Sequence, residues 1–222
     1  MAPKPNIDKG SQQTRSYRSD LRRQQAEQTR QRIVAAAADL FAADGYPRTT
    51  LAKIAAAAGV STETVAAQGP KAVLMVAAME YAMFGVSGEE NVLNLDIGRR
   101  YLEIDNRDDA LDYWVATQIE LHERGAGLAQ ALIGAAASDP ELNHYLDELF
   151  AGITKQARRV LVVARDRGWL RDDVPFDELV LTSTVASGID TFLRVTRRDG
   201  WSVPRYRTWL RRILAETTFA RA

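Results

Sequence analysis

Apolar residues recur at intervals of three and four positions over most of this chain, which is the spacing of an α-helix with one buried face. Ile33, Ala37, Leu40 and Phe41 form the first clear stripe, on a helix predicted over about 20–44. The alternation of apolar and polar residues that is typical of strands does not recur. The pattern therefore predicts an all-α fold.

Glycine and proline residues divide the N-terminal part into short helices. Gly45-Tyr46-Pro47 predicts the end of the first helix, because proline cannot continue a helix and restricts the residue before it. Two further helices are predicted over about 50–58 and 61–68, the first of them capped by Thr49 or Thr50. Together these helices predict one small bundle.

The rest of the chain is also predicted to be helical. Gly69-Pro70 starts a helix that extends to about residue 84, and a loop is expected over 86–96. Ser138-Asp139-Pro140-Glu141 is a strong helix start, since it combines a cap, an early proline and an acid in the first turn. The remaining predicted helices cover about 109–123 and, after an interruption at Gly125 and Gly127, 128–137, then 140–168, 175–198 and 204–219.

The segment 51–70 predicts a helix-turn-helix, a pair of helices that can place its second helix in a DNA major groove. Ala55 is small where the helices approach, and Gly59 stands where the first helix should end in a left-handed residue. Val60 supplies an apolar contact between the helices, and Ser61 is a good N-cap for the second. The residues predicted to pack the two helices together are Val65, Ile54 and Ala58.

Charge is divided unevenly between the two ends of a chain whose net charge is zero. Residues 1–71 carry 11 Lys and Arg against 6 Asp and Glu, whereas residues 72–222 carry 18 against 23. A basic front and an acidic rear suit a DNA-facing head on a body that avoids DNA, although a chance imbalance on solvated faces gives the same numbers. The chain has no cysteine, so disulfides, thiol nucleophiles and cysteine-bound metals are excluded.

Residues 1–19 are expected to form a flexible basic arm, which orders on phosphates or in a minor groove or serves only as a solubilising tail. This segment has no apolar core for export, and the longest apolar run, 72–79, is too short to span a bilayer. We therefore expect a cytoplasmic protein with no membrane partner. Six arginines crowd the segment 15–32 ahead of the helix-turn-helix: Arg15, Arg18, Arg22, Arg23, Arg30 and Arg32.

About a quarter of the chain, residues 27–80, resembles the head of the tetracycline-repressor (TetR) family. The matching segments are Gly45-Tyr46-Pro47-Arg48-Thr49-Thr50, Leu51-Ala52-Lys53-Ile54-Ala55, Ala58-Gly59-Val60-Ser61, Thr64-Val65 and Lys71. The resemblance implies a homodimeric transcription regulator, usually a repressor, whose C-terminal helical domain holds a small-molecule pocket. Together these observations predict three regions: the arm over 1–19, a helix-turn-helix domain over 20–71, and a helical regulatory and dimerisation domain over 72–222.

The sequence departs from the family pattern just after the Thr64-Val65 pair. The family usually has a tyrosine there and, a few residues later, an aromatic residue before the lysine. This chain has Ala66-Ala67-Gln68-Gly69-Pro70, one residue shorter and without either aromatic. The departure puts the affinity for DNA and the docking angle in question, and it leaves open a degenerate head that no longer binds DNA.

The residues of the second helix that point away from Val65 are predicted to meet the groove. Gln68 can bond bidentately to adenine, Ala66 or Ala67 can touch a thymine methyl, and Glu63 either accepts from cytosine or favours the helix dipole. The other groove residue is Thr62, and the predicted phosphate contacts are Thr50, Lys53, Ser61, Thr64 and Lys71, with Arg22 and Arg23 ahead of them.

Useful specificity needs two half-sites, so a partner surface for a second copy is expected in the body. The last two predicted helices, over 175–198 and 204–219, carry small residues that permit close approach beside larger apolar ones. The alternative is that these stripes only close the core of one chain. The predicted interface residues are Ser183, Ala186, Ser187, Ile189, Phe192, Leu193, Tyr206, Leu210, Ile213 and Leu214.

The middle helices mix aromatic and polar residues, as ligand pockets do, although most aromatic residues on apolar stripes belong to the core. The predicted pocket residues are Tyr81, Phe84, Tyr101, Tyr113, Trp114, Gln118, His122 and Phe150. The only two histidines, His122 and His144, do not form a metal cluster, and no nucleophile–base pair or phosphate loop indicates catalysis. No cofactor or metal is expected.

These features predict a ligand-responsive repressor that binds a near-palindromic operator in double-stranded DNA and an unknown small-molecule effector. One alternative is a DNA-binding regulator without a ligand response. Another is a helical small-molecule-binding protein, carrier or enzyme whose head no longer binds DNA. The sequence does not identify the effector or the operator.

Overall fold

The computed structural model describes residues 9–85 and 91–220, with side chains from residue 21 onward. Within these ranges every regular element is helical, apart from one isolated antiparallel bridge between Leu170 and Phe219. The predicted all-α class is confirmed.

The N-terminal head consists of α1 (Lys9–Arg48), α2 (Leu51–Ala58) and α3 (Thr62–Ala66). The start of α1 corrects the predicted one, because residues 9–19, expected in a flexible arm, continue the helix toward the N-terminus. This stretch contains no proline, and its one lysine, two glutamines and two arginines favour helix in the absence of packing. The rest of the predicted arm, residues 1–8, lies outside the described residues.

Side-chain contacts hold the bend of the chain at the end of α1. Gly45 has φ 77° and interrupts the helix, as the sequence predicted, and the Tyr46 ring then stacks on Phe41 at 5.7 Å between centroids. The buried Thr49 hydroxyl is placed to donate to two carbonyls, that of Leu40 at 3.2 Å and that of Gly45 at 2.9 Å. These contacts fix the direction in which the chain enters α2.

The body follows a connecting helix, α4 (Lys71–Phe84). Residues 86–90 of the predicted loop lie outside the described residues, but its remaining part contains a 3-10 turn and the start of a helix. The body elements are that turn (Val92–Asn94), α5 (Asp96–Leu102), α6 (Arg107–Ala136), α7 (Pro140–Asp166), α8 (Phe176–Ala186), α9 (Ile189–Leu193), a π-turn (Arg194–Arg198) and α10 (Val203–Thr217).

Two predicted features of the body are wrong. The interruption at Gly125 and Gly127 is absent, because α6 runs through both; a Cβ added at Gly125 would lie 2.9 Å from Met83 Cγ, so this glycine permits close packing. The single helix predicted over 175–198 is divided after Ser187, where Gly188 is extended and a Cβ would lie 2.8 Å from the Thr184 carbonyl.

One continuous group of buried apolar side chains runs from the head into the body. Helix α4 packs on α1 in the head and on α6 and α7 in the body, and α6 also contacts α1, α5, α9 and α10. Helices α4 and α6 therefore connect the two ends of the molecule. The predicted domain boundary at residues 71 and 72 stays a prediction.

Candidate nucleic-acid interface

The turn between α2 and α3 has the geometry that the sequence predicted. Gly59 lies in the left-handed region at φ 65° and ψ 41°, and the Val60 N–H donates to the Ala55 carbonyl at 3.0 Å. Ile54 and Val65 are fully buried, with Ala58 beside them. This packing sets α3 against α2 and leaves the other side of α3 facing outward.

Both helices begin with side-chain caps. The Thr50 hydroxyl accepts from the Lys53 N–H at 3.2 Å, and the Ser61 hydroxyl accepts from the Thr64 N–H at 3.2 Å. Hydrogen bonds from its own backbone N–H and from the Ser61 hydroxyl lower the pKa of Glu63. Thr50, Ser61 and Glu63 therefore stabilise the helix starts even without DNA.

The outward face of α3 is small and polar. Thr62, Glu63 and Ala66 are exposed, as is Ala67 just after the helix, whereas Thr64 is half-buried. The helix is shorter than predicted: it ends at Ala66, and a turn at 67–68 leads to Gly69 at φ 118° and Pro70.

Gln68, predicted to read adenine from this helix, instead lies in the turn after it. Its N–H donates to the Val65 carbonyl at 2.9 Å, and the residue is half-buried.

Lys53 and Lys71, the two lysines predicted to bind phosphate, are engaged within the head. Lys53 Nζ lies 2.8 Å from Asp44 Oδ2, and this hydrogen bond lowers the pKa of Asp44. Lys71 Nζ donates to the Tyr46 carbonyl at 3.0 Å and lies 4.0 Å from the centroid of the Tyr46 ring. Burial lowers the pKa of Lys71, and the nearby Asp139 carboxylate opposes that shift.

Three arginines of α1 are exposed and could reach phosphates. Arg22 and Arg23 are exposed, and so is Arg48, whose Nε donates to the Asp44 carbonyl at 2.8 Å. Sequence reasoning missed Arg48, although it stands inside the Gly45–Thr50 motif. Of the two predicted caps, Thr50 caps α2, whereas the buried Thr49 hydroxyl donates to the Leu40 and Gly45 carbonyls. The bond to Leu40, nine residues earlier, has no local signal in the sequence.

Comparison with known families identifies this head. Residues 33–67 match the model of the family described as bacterial regulatory proteins, tetR family. The match covers α2, α3 and the C-terminal part of α1 from Ile33 onward. The head of this chain is similar to those of the TetR family. No curated protein matches the chain.

Solved structures extend the likeness to the whole TetR-like fold. A chain from Rhodococcus sp. assigned to the TetR-family transcriptional regulators superposes with TM-score 0.67 at 18% identity, over 86% of this chain and 98% of that one. A transcriptional regulator from Saccharomonospora viridis in complex with choline gives 0.61 at 18% identity, over 88% and 99%. The SmeT–triclosan complex gives 0.59 at 19% identity, over 86% and 92%. At these identities the likeness establishes the fold.

The interface residues predicted in the TetR-like body need correction. Eight of the ten are buried inside the single chain: Ser183, Ser187, Ile189, Phe192, Leu193, Tyr206, Leu210 and Leu214. Phe192 packs edge-to-face on Tyr206 at 5.4 Å, and the Ser183 hydroxyl lies 3.0 Å from that of Thr218. These side chains close the chain's own core. Only Ala186 and Ile213 of the set are half-buried.

A different face of α8 is apolar and open. Leu181 and Val185 are each 61% exposed, and they are one helical turn apart on the side of α8 away from the core. Sequence reasoning missed both residues, because the stripe that packs the core and the stripe that faces outward are equally apolar in this helix.

The predicted pocket residues fall into separate groups. Tyr101, Trp114 and His122 are buried, whereas Tyr81, Phe84, Tyr113, Gln118 and Phe150 are half-buried. Tyr113 donates from its hydroxyl to the Ile97 carbonyl at 3.0 Å. Phe84 lines a cleft of about 290 Å³ with Met83, Asn94, Leu95, Asp96, Ile97, Arg99, Leu121 and Arg124.

Two buried members of the set, Trp114 and His122, lie on α6, and the third, Tyr101, lies on α5. The Tyr101 and Trp114 rings meet edge-to-face at 6.2 Å, and His122 lies 5.5 Å from Phe192. In the described ranges, no cluster of three or more His, Asp or Glu side chains is placed to hold a metal ion. Nor does any helix described here combine the length and apolar character needed to cross a bilayer.

Proposed function

We propose that this protein is a homodimeric TetR-like regulator of transcription, a repressor that a small-molecule effector releases from DNA. The observation that carries the proposal is the exposed polar face of α3, held outward by the buried Val65 and Ile54. A surface helix of this kind, preceded by a tight left-handed turn, fits a major groove.

In the proposed complex Thr62, Glu63 and Ala66 face base edges, and the hydroxyls of Ser61 and Thr64 face phosphates. Helix α3 has only five residues and carries no aromatic side chain, so few contacts to bases are available. Phosphate contacts from arginines of α1, and the second head of a dimer, therefore supply most of the affinity. Steep salt dependence follows, because each neutralised phosphate releases counterions.

Lys71 contributes a phosphate contact only if its Nζ leaves Tyr46. In the unbound chain the ammonium group is held by a carbonyl and an aromatic ring. Since Lys71 starts α4, which packs on α6 and α7, the position of this lysine is coupled to the body. We infer that DNA binding favours one position of α4.

The proposed dimer interface is centred on Leu181 and Val185, beside the outer side of α10. Helix α10 packs against α8, and the Tyr206 hydroxyl lies 3.5 Å from the Ala186 carbonyl. The exposed faces of the two helices are thus neighbours, and two copies would bury them as a four-helix arrangement. Leu181→Asp should give a monomer in sedimentation analysis, whereas Leu102→Asp, at a leucine 39% exposed on α5, should leave the dimer intact.

Release by an effector requires a connection from the body to the head. Met83 of α4 packs at Gly125 of α6, so a molecule that enters beside α6 changes how α4 packs on α6. Two chains of the same fold were solved with small molecules, choline in one and triclosan in the other. An effector that binds one position of α4 more tightly than the other would shift the population away from the DNA-binding state.

Fluorescence anisotropy with the DNA upstream of the protein's own gene tests the proposal. Specific binding should require a near-palindrome and fall steeply with salt. Ala66→Asp should weaken binding by at least about tenfold, because it brings a negative charge into the groove of a polyanion. Ala151→Asp, at an exposed position of α7, should not change it. Equal effects of the two substitutions, or no specific binding to any neighbouring promoter, would contradict the proposal.

A further inference from the structure

Three buried polar atoms have no hydrogen-bond partner among the residues that the structure describes. They are Tyr101 Oη, Trp114 Nε1 and His122 Nδ1. Buried polar atoms are nearly always paired, because an unpaired one loses its hydration without replacement. Three of them in one region therefore need an explanation, and a ligand that pairs with them is the simplest.

The three side chains lie along one line of the body. Trp114 and His122 are eight residues apart on α6, so they share a face of the helix and are separated by about 12 Å along its axis. Gln118, half-buried, stands between them at the same helical spacing. Tyr101 of α5 extends the line, because its ring packs edge-to-face on Trp114.

None of the three orphaned groups is charged near neutral pH. Burial raises the pKa of Tyr101 to about 12 and lowers the pKa of His122 to about 4, and the indole of Trp114 does not titrate. The cation that acts on Tyr101 is Arg167, which is already engaged: it donates to the Leu102 carbonyl at 2.6 Å and lies over the Trp169 ring. A charged ligand would lose its hydration here without gaining a counter-charge.

The surroundings of the line are apolar and adaptable. Leu111, Val115 and Phe192 are buried beside it, and two methionines of α4, Met79 and Met83, meet α6 at Gly125. Methionine side chains change rotamer more readily than branched ones. Space for a ligand can therefore open toward α4, the helix that reaches the head.

We propose that the effector is an uncharged, largely apolar molecule that lies along α6. Acceptor atoms of the effector take hydrogen bonds from Tyr101 Oη and Trp114 Nε1, and a polar group of the effector pairs with His122 Nδ1. The inference rests on the proposed function, since it names the chemistry of the molecule that releases the repressor. It excludes carboxylates and quaternary ammonium ions as effectors of this chain.

A neutral fluorescent probe tests the proposal directly. Prodan, 6-propionyl-2-dimethylaminonaphthalene, is uncharged, elongated and carries a ketone acceptor. We expect saturable binding with a blue-shifted emission, weakened at least about tenfold by Tyr101→Phe or Trp114→Phe, since each removes one donor. Tyr145→Phe on α7 is the matched control and should leave the affinity unchanged. The anionic analogue 6-dimethylamino-2-naphthoate should not bind.

The thermal stability of the ligand-free variants provides a second readout. Tyr101→Phe removes an unpaired atom, so the melting temperature should stay the same or rise. Tyr113→Phe removes a hydroxyl that is bonded to the Ile97 carbonyl, so the melting temperature should fall. A fall for Tyr101→Phe with unchanged probe affinity would mean that the orphaned groups hold only internal water, and would overturn the inference.

Operator binding separates this inference from the proposed function. If the chain binds its operator but Prodan does not bind, or the naphthoate binds equally well, the effector chemistry is wrong and the regulator stands. If Prodan binds in the predicted way but no operator does, the ligand chemistry stands and the regulator is wrong.

Discussion

The head and the body of this chain are built from the same helical periodicity, but they differ in the range of the contacts that orient their helices. In the head, the turn at Gly59, the caps at Thr50 and Ser61 and the buried Val65 all lie within sixteen residues. In the body, the contacts that decide which side of a helix is buried join residues far apart, as Ser183 and Thr218 do. Local sequence therefore fixes the outward face of α3 but not that of α8.

The two regions also treat buried polar groups differently. In the head, the buried Thr49 hydroxyl finds two carbonyls and Lys71 finds Tyr46. In the body, three buried polar atoms of α5 and α6 have no partner among the residues that the structure describes. The head pairs its buried polar groups internally and needs no ligand to do so. In the proposed account, the unpaired polar atoms of the body are paired by a bound ligand.

The largest expected effect is on the packing that orients α3. Val65→Asp places a charge at a fully buried site and should cost about 4 kcal/mol or more, with loss of DNA binding. Ala66→Asp, one residue later and exposed, should leave the melting temperature within about 2 °C while it weakens DNA binding. Differential scanning calorimetry and anisotropy on both variants check this; similar melting temperatures would place both residues on the same side of α3.

The second prediction sharpens the distinction between core and surface in the body. Phe192→Ala should cost about 3–5 kcal/mol, because its ring is fully buried between His122 and Tyr206. Leu181→Ala should cost less than about 0.5 kcal/mol in the monomer. Urea unfolding of both variants on a monomeric Val185→Asp background, with that background protein as the reference, gives the comparison. A loss of less than about 1 kcal/mol in the free energy of unfolding for Phe192→Ala would contradict its burial in the core and favour a place in the interface.

The pH dependence of stability compares a buried with an exposed histidine. Since burial lowers the pKa of His122 to about 4, the unfolded chain takes up a proton below its own pKa of about 6.5 before the folded chain does. Stability should therefore fall by about 3 kcal/mol as pH drops from about 6.5 to 4. His122→Gln should remove this slope, whereas His144→Gln, at the exposed histidine, should leave it. An unchanged slope in His122→Gln would contradict the assignment.

The smallest effect distinguishes two glycines of α6 that the sequence does not separate. Gly125→Ala crowds Met83 and should cost about 1 kcal/mol, with a change in operator affinity through α4. Gly127 has open space around it, so Gly127→Ala should stabilise by about 0.5–1 kcal/mol. Denaturant midpoints with equal m-values test the opposite signs; the same sign for both would remove Gly125 from the proposed connection.

The features that the sequence predicted are those that depend on neighbouring residues. The break at Gly45, the caps, the turn at Gly59 and the burial of Val65 depend on neighbouring residues, and each was predicted correctly. The contact between Lys71 and Tyr46 spans 25 positions, and no local pattern indicates it. The interface residues failed for a related reason: Phe192 and Leu181 have equivalent apolar character, and only the packing of α9 and α10 on α6 buries one of them.

The unpaired polar atoms of the body could be predicted only in part. Tyr101, Trp114 and His122 were predicted as pocket residues from their mixed aromatic and polar character. That they share one line, and that their polar atoms lack partners, depends on how α5 and α9 pack on α6.

Hydroxyl-radical footprinting of the protein on the DNA upstream of its gene tests the central claim, that the outward face of α3 docks on DNA in two copies. The account predicts two protected patches whose centres are about one helical turn, or a multiple of it, apart, and both should disappear with Ala66→Asp. A single protected patch, or two patches that persist in that variant, would contradict it.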